Sequence, residues 1–208
     1  GAKYDSTIFA ADAVAKGAVA VMTPKPLNLN VPKIITEDTL KGFGACGGLV
    51  RAKSHAKVLG ITGTCGKTTT TYLLKAILEQ ARGAKVGLIG TNQNMIGSDV
   101  IPTERTTPES FEVQKLFREM ADAGCTHVVM EVSSHAIVLD RVGGIHFDVA
   151  AFTNLTEDHL DFHKTMDAYC DAKAELFTRC TRAVVNADDP YAPRILEKTP
   201  KQTLTVSL

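Results

Sequence analysis

The chain has 208 residues, of which 44% are hydrophobic and 22% charged. That composition is ordinary for a folded globular protein and argues against a disordered chain or a disulfide-stapled miniprotein. Lys plus Arg and Asp plus Glu both number 23, so neither nucleic-acid binding nor membrane-surface binding driven by net charge is expected. No apolar run approaches the roughly 18 residues needed to span a bilayer, and the first residues lack a basic-then-apolar leader, so membrane insertion is not expected. Five cysteines, an odd number without a C-x-x-C pair, fit reduced thiols in a cytoplasmic setting better than a disulfide framework or a thiolate zinc site.

In chain order, residues 1–54 read as short Ala/Gly-rich pieces. A strand is expected at Ala18–Met22, another at Lys33–Ile35, and a helix after Glu37. From residue 55 strands alternate with longer helices. Strands are expected at Val58–Thr62, Lys85–Ile89, His127–Val132, Asp148–Phe152 and Ala183–Asn186, several of them continuous Val/Ile-rich runs of the kind covered on both faces. A helix over Thr69–Arg82 is read from the recurrence of Leu74, Ile77, Leu78 and Ala81, with Gly83 ending it. A second helix over Pro108–Ala123 carries the stripe Val113, Leu116, Phe117 and Met120, with Thr107 as N-cap and Pro108 at N1. The alternation predicts a doubly wound, mostly parallel α/β sheet of the P-loop type, with ligands at the carboxyl ends of its strands.

Gly63-Thr64-Cys65-Gly66-Lys67-Thr68-Thr69 lies between the strand VLGIT and a helix. Glycines let backbone N–H groups point inward, the helix N-terminus adds positive potential, Lys67 can reach β- and γ-phosphates, and Thr68 can offer a hydroxyl to Mg²⁺. The strict G-x-x-x-x-G-K-[ST] pattern is not met, because Ile61 stands at its first glycine. The competing reading is a Gly-rich turn with a surface lysine. Further along, His127-Val-Val-Met-Glu-Val-Ser-Ser-His135 is an apolar strand ending in polar groups. Glu131 there could hold Mg²⁺ against phosphates or cap the following helix.

His159 and His163 are four residues apart in the segment Phe152–His163. They read either as a metal site aided by Asp158 or Asp161 or as a polar, solvated junction, with His163 structural. Lys173 shares a helical stripe with Met166, Tyr169, Cys170 and Phe177. A lysine so placed either snorkels to solvent or is desolvated into a neutral, nucleophilic amine.

The loop T-G-T-C-G-K-T-T resembles that of the Mur ligase family, ATP-dependent amide ligases of bacterial cell-wall synthesis. Four further segments stand in the family's order: Arg105-Thr-Thr-Pro-Glu-Ser110, Met130-Glu-Val-Ser-Ser-His-Ala136 followed by Arg141, the T-N-x-x-x-D-H-x-D stretch ending at Asp161, and Ala172-Lys173. They are similar to the member that adds the third residue of the peptide stem. The resemblance implies that Gly63 to Thr69 bind ATP, and that Thr106, Thr107, Ser133 and Arg141 contact UDP-MurNAc-L-Ala-D-Glu. It further implies that His159 helps bind a second Mg²⁺, and that Lys173 reacts with CO₂ to give a metal-binding carbamate. The implied metal ligands are Thr68, Glu131, His159 and carbamylated Lys173, and the implied catalytic set is Lys67, His159 and Lys173. Residues 1–54 are expected to be part of a uridine-binding domain and 55–208 part of the central ATP-binding domain. The domain that chooses diaminopimelate or L-lysine is expected to be missing, so the chain is not expected to turn over alone. Folylpolyglutamate- or cyanophycin-synthetase-type ligases, and a non-catalytic nucleotide- or UDP-sugar-binding fragment, are the alternatives.

Overall fold

A computed structural model describes residues 5–51 and 55–207. Residues 52–54, the end of the first expected domain, lie outside the described residues. The first unit opens with a 3₁₀ turn at Ser6–Phe9 and helix α1 (Ala10–Ala15). Strands β1 (Val21–Thr23) and β2 (Lys33–Ile35) pair in parallel, and helix α2 (Thr39–Arg51) follows. The first strand begins later than expected from the sequence. Gly17 turns the end of α1 with φ 101°, and the Ala18 N–H is taken by Ala13 O, so Ala18 belongs to the helix stop. Helix α2 carries Gly42, Gly44, Gly47 and Gly48, poor helix formers, and packs against the helix over Ser110–Asp122. A Cβ at Gly47 would lie 2.4 Å from Gln114 Cγ, which shows how close the two helices approach.

The second unit runs β3 (Lys57–Thr62), α3 (Lys67–Arg82), β4 (Val86–Ile89), β5 (Asn94–Ile96), β6 (Asp99–Ile101), α4 (Ser110–Asp122) and β7 (His127–Glu131). It continues through α5 (Ser134–Val138), β8 (Phe147–Phe152), α6 (Leu160–His163), α7 (Met166–Ala174), a 3₁₀ turn at Glu175–Arg179, β9 (Cys180–Asn186), α8 (Ala192–Leu196) and β10 (Thr203–Val206). These strands form one sheet in the order β10-β9-β8-β3-β7-β4-β5-β6. Only the β4–β5 and β5–β6 pairs are antiparallel. The chain leaves β3 toward β4 and leaves β8 toward β9, in opposite directions. The β3–β8 boundary is therefore the switch point, and the loops after these two strands bound the crevice there.

The strands alternate cleanly between two layers. Val58, Val128, Met130, Ala150, Phe152 and Ala183 face the core closed by α4, α7 and α8, with Phe117, Met120, Tyr169 and Ile195 at its centre. Ile61, Val86 and Val129 face the other side, where Leu74 and Leu78 of α3 cover them. The expected α3 stripe is corrected here. Thr71 and Lys75 are buried beside the half-buried Leu74 and Leu78, while Ile77 is 58% exposed and Ala81 is also exposed. Lys75 tolerates this because Glu79, one turn on, pairs with it at 2.5 Å. Gly83 ends α3 with φ 58°, as its sequence position suggests.

Helix α4 begins at Ser110, not Pro108. Its N-cap is Glu109, whose carboxylate and that of Glu112 form a reciprocal capping box. Thr107 is drawn away to the end of β7, where its hydroxyl donates to Glu131 O at 2.8 Å and accepts from Ser133 N–H at 3.1 Å. The buried stripe Val113, Leu116, Phe117 and Met120 is as read from the sequence. Because Phe117 is 1% exposed at the centre of the larger core, Phe117→Ala is expected to cost about 3–5 kcal/mol. Urea denaturation should show the midpoint falling with little change in slope.

Candidate active site

The phosphate loop follows β3 and leads into α3. Gly63 has φ 148°, and a Cβ there would lie 1.9 Å from Thr153 Oγ1 and 3.1 Å from the Asn154 backbone. Only glycine fits so close to the β8 loop. That loop then holds the turn: Thr64 N–H donates to Asn154 O at 2.9 Å, Cys65 N–H donates to Asn154 Oδ1 at 3.0 Å, and the Thr153 hydroxyl donates to Cys65 O at 2.7 Å. Cys65 and Gly66 are exposed, and Gly66 starts α3 with φ 83°. Lys67 Nζ folds back onto the carbonyls of Gly63 and Thr64 at 2.9 and 2.8 Å. Burial lowers its pKa, and the nearby Glu131 carboxylate opposes that shift. Thr69 is exposed on the first turn of α3.

Glu131, paired in register with Ile61, is completely buried. Its Oε2 accepts from Thr68 Oγ1 at 3.0 Å and lies 2.9 Å from Thr91 Oγ1, and its Oε1 accepts from Thr91 N–H at 2.9 Å. Among the described residues it makes no ion pair. A buried carboxylate supported only by neutral donors is costly and suits a cation. The hard-oxygen set of Glu131 and Thr68 fits Mg²⁺.

Beside it opens a cleft of about 360 Å³ lined by Thr91, Thr106, Thr107, Ser133, Arg141 and His159, among others. All four residues expected to contact an acid substrate thus meet at one place, though not in equal states. Thr107 spends its hydroxyl on the backbone, as described above. Ser133 caps α5, its Oγ accepting from Ala136 N–H at 3.2 Å. Thr106 Oγ1 lies 3.0 Å from Thr91 Oγ1. Arg141 pairs with Glu109 at 3.0 Å, while its buried Nε has no partner among the described residues. A guanidinium with an unsatisfied buried donor is ready for an anion.

On the far side of the loop, Lys173 is 1% exposed, so it does not snorkel. Its Nζ donates to Gly63 O at 2.9 Å and sits 4.4 Å from the Tyr169 ring centroid. Burial first, and then the Lys67 charge, lower its pKa to about 7. The Tyr169 hydroxyl lies 3.3 Å from Thr64 Oγ1, and the Tyr169 ring stacks on His163, whose Nε2 lies 2.8 Å from Ser134 Oγ. His159 is held at φ 53° as N-cap of α6, exposed, with its ring edge toward His135 at 4.8 Å and Tyr169 at 6.1 Å.

The four expected metal ligands therefore fall into two groups. Thr68 and Glu131 touch directly, while His159 and Lys173 meet only through Tyr169. No group of three or more His, Cys, Asp or Glu among the described residues is arranged to hold a metal ion, so the alternative reading of His159, His163 and an aspartate as a metal site is not formed. Thr91, His135, Asn154 and Tyr169 complete the site without having been singled out for it. For Thr91 the available signal was its position just past an apolar strand, where ligands gather in this fold.

Residues 61–208 match the Mur ligase middle domain, and the chain belongs to the Mur ligase family. It is 45% identical over its whole length to the UDP-N-acetylmuramoyl-L-alanyl-D-glutamate--2,6-diaminopimelate ligase of Caldanaerobacter subterraneus subsp. tengcongensis. It is 47% identical, again over its whole length, to ligase 1 of the same name from Clostridium acetobutylicum. It spans 44% of each of these relatives. A solved structure of a UDP-N-acetylmuramoyl-L-alanyl-D-glutamate--2,6-diaminopimelate ligase superposes with a TM-score of 0.81 at 29% identity, covering 96% of this chain and 42% of that one.

Between about pH 7 and the ordinary lysine value of 10.5, the unfolded chain holds a proton on Lys173 that the folded chain has lost. Stability from this group therefore rises with pH across that window, and its full cost is felt below it. Lys173→Met should gain most relative to wild type at pH 7 or below, with the difference shrinking toward pH 10. Chemical denaturation at several pH values would check this, and a pH-independent difference would contradict it.

Proposed function

We propose that this chain is the nucleotide-binding part of a ligase that joins an amino acid to UDP-MurNAc-L-Ala-D-Glu through an acyl phosphate, in cytoplasmic peptidoglycan synthesis. Residues 1–54 contribute part of a uridine-binding domain and 55–208 part of the ATP-binding domain. The relatives' names favour 2,6-diaminopimelate over L-lysine as the incoming amine. The observation that carries the reading is the phosphate loop whose Thr68 hydroxyl rests on the fully buried Glu131, beside a cleft holding Thr106, Ser133 and the unsatisfied Nε of Arg141.

In this reading, the loop N–H groups and the α3 N-terminus receive the phosphates of ATP. Lys67 leaves the carbonyls of Gly63 and Thr64 for the β- and γ-phosphates. Glu131 and Thr68 would hold Mg²⁺, which when bound would supply charge neutralisation there. Arg141 fixes the substrate anion in the cleft, so that a carboxylate oxygen faces the γ-phosphorus. That oxygen forms the new P–O bond as ADP leaves. The amine then attacks the acyl carbon, phosphate departs, and the nitrogen gives up a proton. The protein contributes positioning and electrostatics rather than a covalent intermediate. Lys173, partly neutral near pH 7, adds CO₂ and loses a proton to become a carbamate, which with His159 would hold a second metal ion across the loop.

Lys67→Ala removes a direct charge contact and should weaken Mg·ATP binding by about 1.5–3 kcal/mol, at least tenfold. Calorimetric titration reads this, and an unchanged Kd would refute the assignment. With ¹³C-bicarbonate, wild type should show a carbamate resonance that Lys173→Ala lacks. Identical spectra would leave Lys173 a structural lysine.

A further inference from the structure

Thr91 stands just past β4, next to Gly90, where a Cβ would lie 2.5 Å from Glu131 Oε1. The backbone is thus drawn tight against the carboxylate, and Thr91 N–H donates to it. The Thr91 hydroxyl has two neighbours at nearly equal distance, Glu131 Oε2 at 2.9 Å and Thr106 Oγ1 at 3.0 Å. A hydroxyl carries one hydrogen and cannot donate to both at once. In one arrangement Thr106 donates to Thr91, and Thr91 donates to Glu131. In the other, Thr91 donates to Thr106, the Thr106 hydrogen turns into the cleft it shares with Arg141, and Oε2 keeps only the Thr68 hydroxyl.

Each ligand of the site selects the second arrangement. An anionic oxygen in the cleft takes the Thr106 hydrogen, in a charge-assisted bond stronger than a neutral one. A divalent cation approaching Oε2 disfavours a hydroxyl hydrogen aimed at the same oxygen. Two ligands that favour one state each strengthen the binding of the other. We propose that Thr91 is a positioning residue whose single hydroxyl hydrogen couples the binding of an acid substrate at Thr106 to the binding of Mg²⁺ at Glu131. The inference rests on the ligase reading, and it makes the nucleotide–metal and substrate sites parts of one hydrogen-bonded unit.

The test is calorimetric titration with Mg²⁺ and the non-hydrolysable nucleotide AMPPNP, with and without saturating UDP-MurNAc-L-Ala-D-Glu. In wild type the substrate should raise nucleotide affinity about fivefold or more, and the increase should vanish when EDTA replaces Mg²⁺. Thr91→Val, near in shape but without the hydroxyl, should bring the factor close to one, while Thr91→Ser keeps it. Thr106→Val breaks the same relay from the cleft side and should also uncouple the ligands, which guards against a misfolded Thr91→Val. Wild-type coupling retained in both valine variants, coupling that persists in EDTA, or no coupling in a wild type that binds both ligands would overturn the inference while leaving the ligase reading intact. Failure of wild type to bind either ligand would overturn both.

Discussion

The burial of the Glu131 carboxylate is the constraint around which the site is arranged. A carboxylate out of water with no ion pair among the described residues is tolerable only if every nearby donor is aimed at it. Four features meet that demand. β7 stops at Glu131, so the side chain lies at a strand end. Gly90 gives it room on the β4 side, Thr91 offers both an N–H and a hydroxyl, and α3 begins where Thr68 can reach it. The Ile61–Glu131 pairing fixes the remainder, because the phosphate loop then leaves β3 two residues beyond the carboxylate's partner. Moving either strand by one residue would turn Glu131 into the opposite layer, against the apolar Phe117 and Met120.

A second constraint acts from the other side of the loop. Gly63 lies so close to Thr153 that the β3 and β8 loops behave as one piece, and Thr153 and Asn154 hold the Cys65 carbonyl between them. The β8 loop is in turn held from β9: Asn186 Nδ2 donates to Thr153 O at 2.8 Å, and Asp189 accepts from Leu155 N–H at 2.7 Å. The bonds of Asp189 to the Leu155 and Tyr191 N–H groups give it a scaffolding role. Rigidity at the switch point is thus inherited from the sheet, which is what a phosphate cradle built of backbone N–H groups requires.

These constraints explain which features were legible in the sequence. Strands β3, β4, β7, β8 and β9 were readable within a few residues because each is an apolar run with at least one buried face. β6 and β10 carry no such signal, since Val100, Leu204 and Val206 are half-exposed, and β5 is only three residues long. The α3 stripe misled because Thr71 and Lys75 turn inward while Ile77 does not, a choice made by the sheet beneath rather than by residue type. Lys173 could be found because a lysine on an apolar stripe contradicts its own neighbours. Thr91 had only its place just past an apolar strand to mark it, and the roles of Thr91 and His135 stayed hidden because their partners are 15 to 40 residues away in sequence, brought alongside only by strand order.

The two polar groups flanking the loop share it as a common wall. Thr68 joins the loop to Glu131 on one side, and Thr64 joins it to Tyr169, and so to Lys173 and His163, on the other. Lys67 and Lys173 both donate to the same Gly63 carbonyl. That oxygen has two lone pairs, and two ammonium groups converging on it repel each other, which is one reason Lys173 is driven toward its neutral form. In the proposed reading, a phosphate arriving over the loop would draw Lys67 away from Gly63 and relieve that repulsion, while Lys173 keeps the carbonyl to itself. In that reading, the electrostatic state of the buried lysine is therefore tied to what occupies the loop, through a single backbone oxygen at a position that only glycine fits.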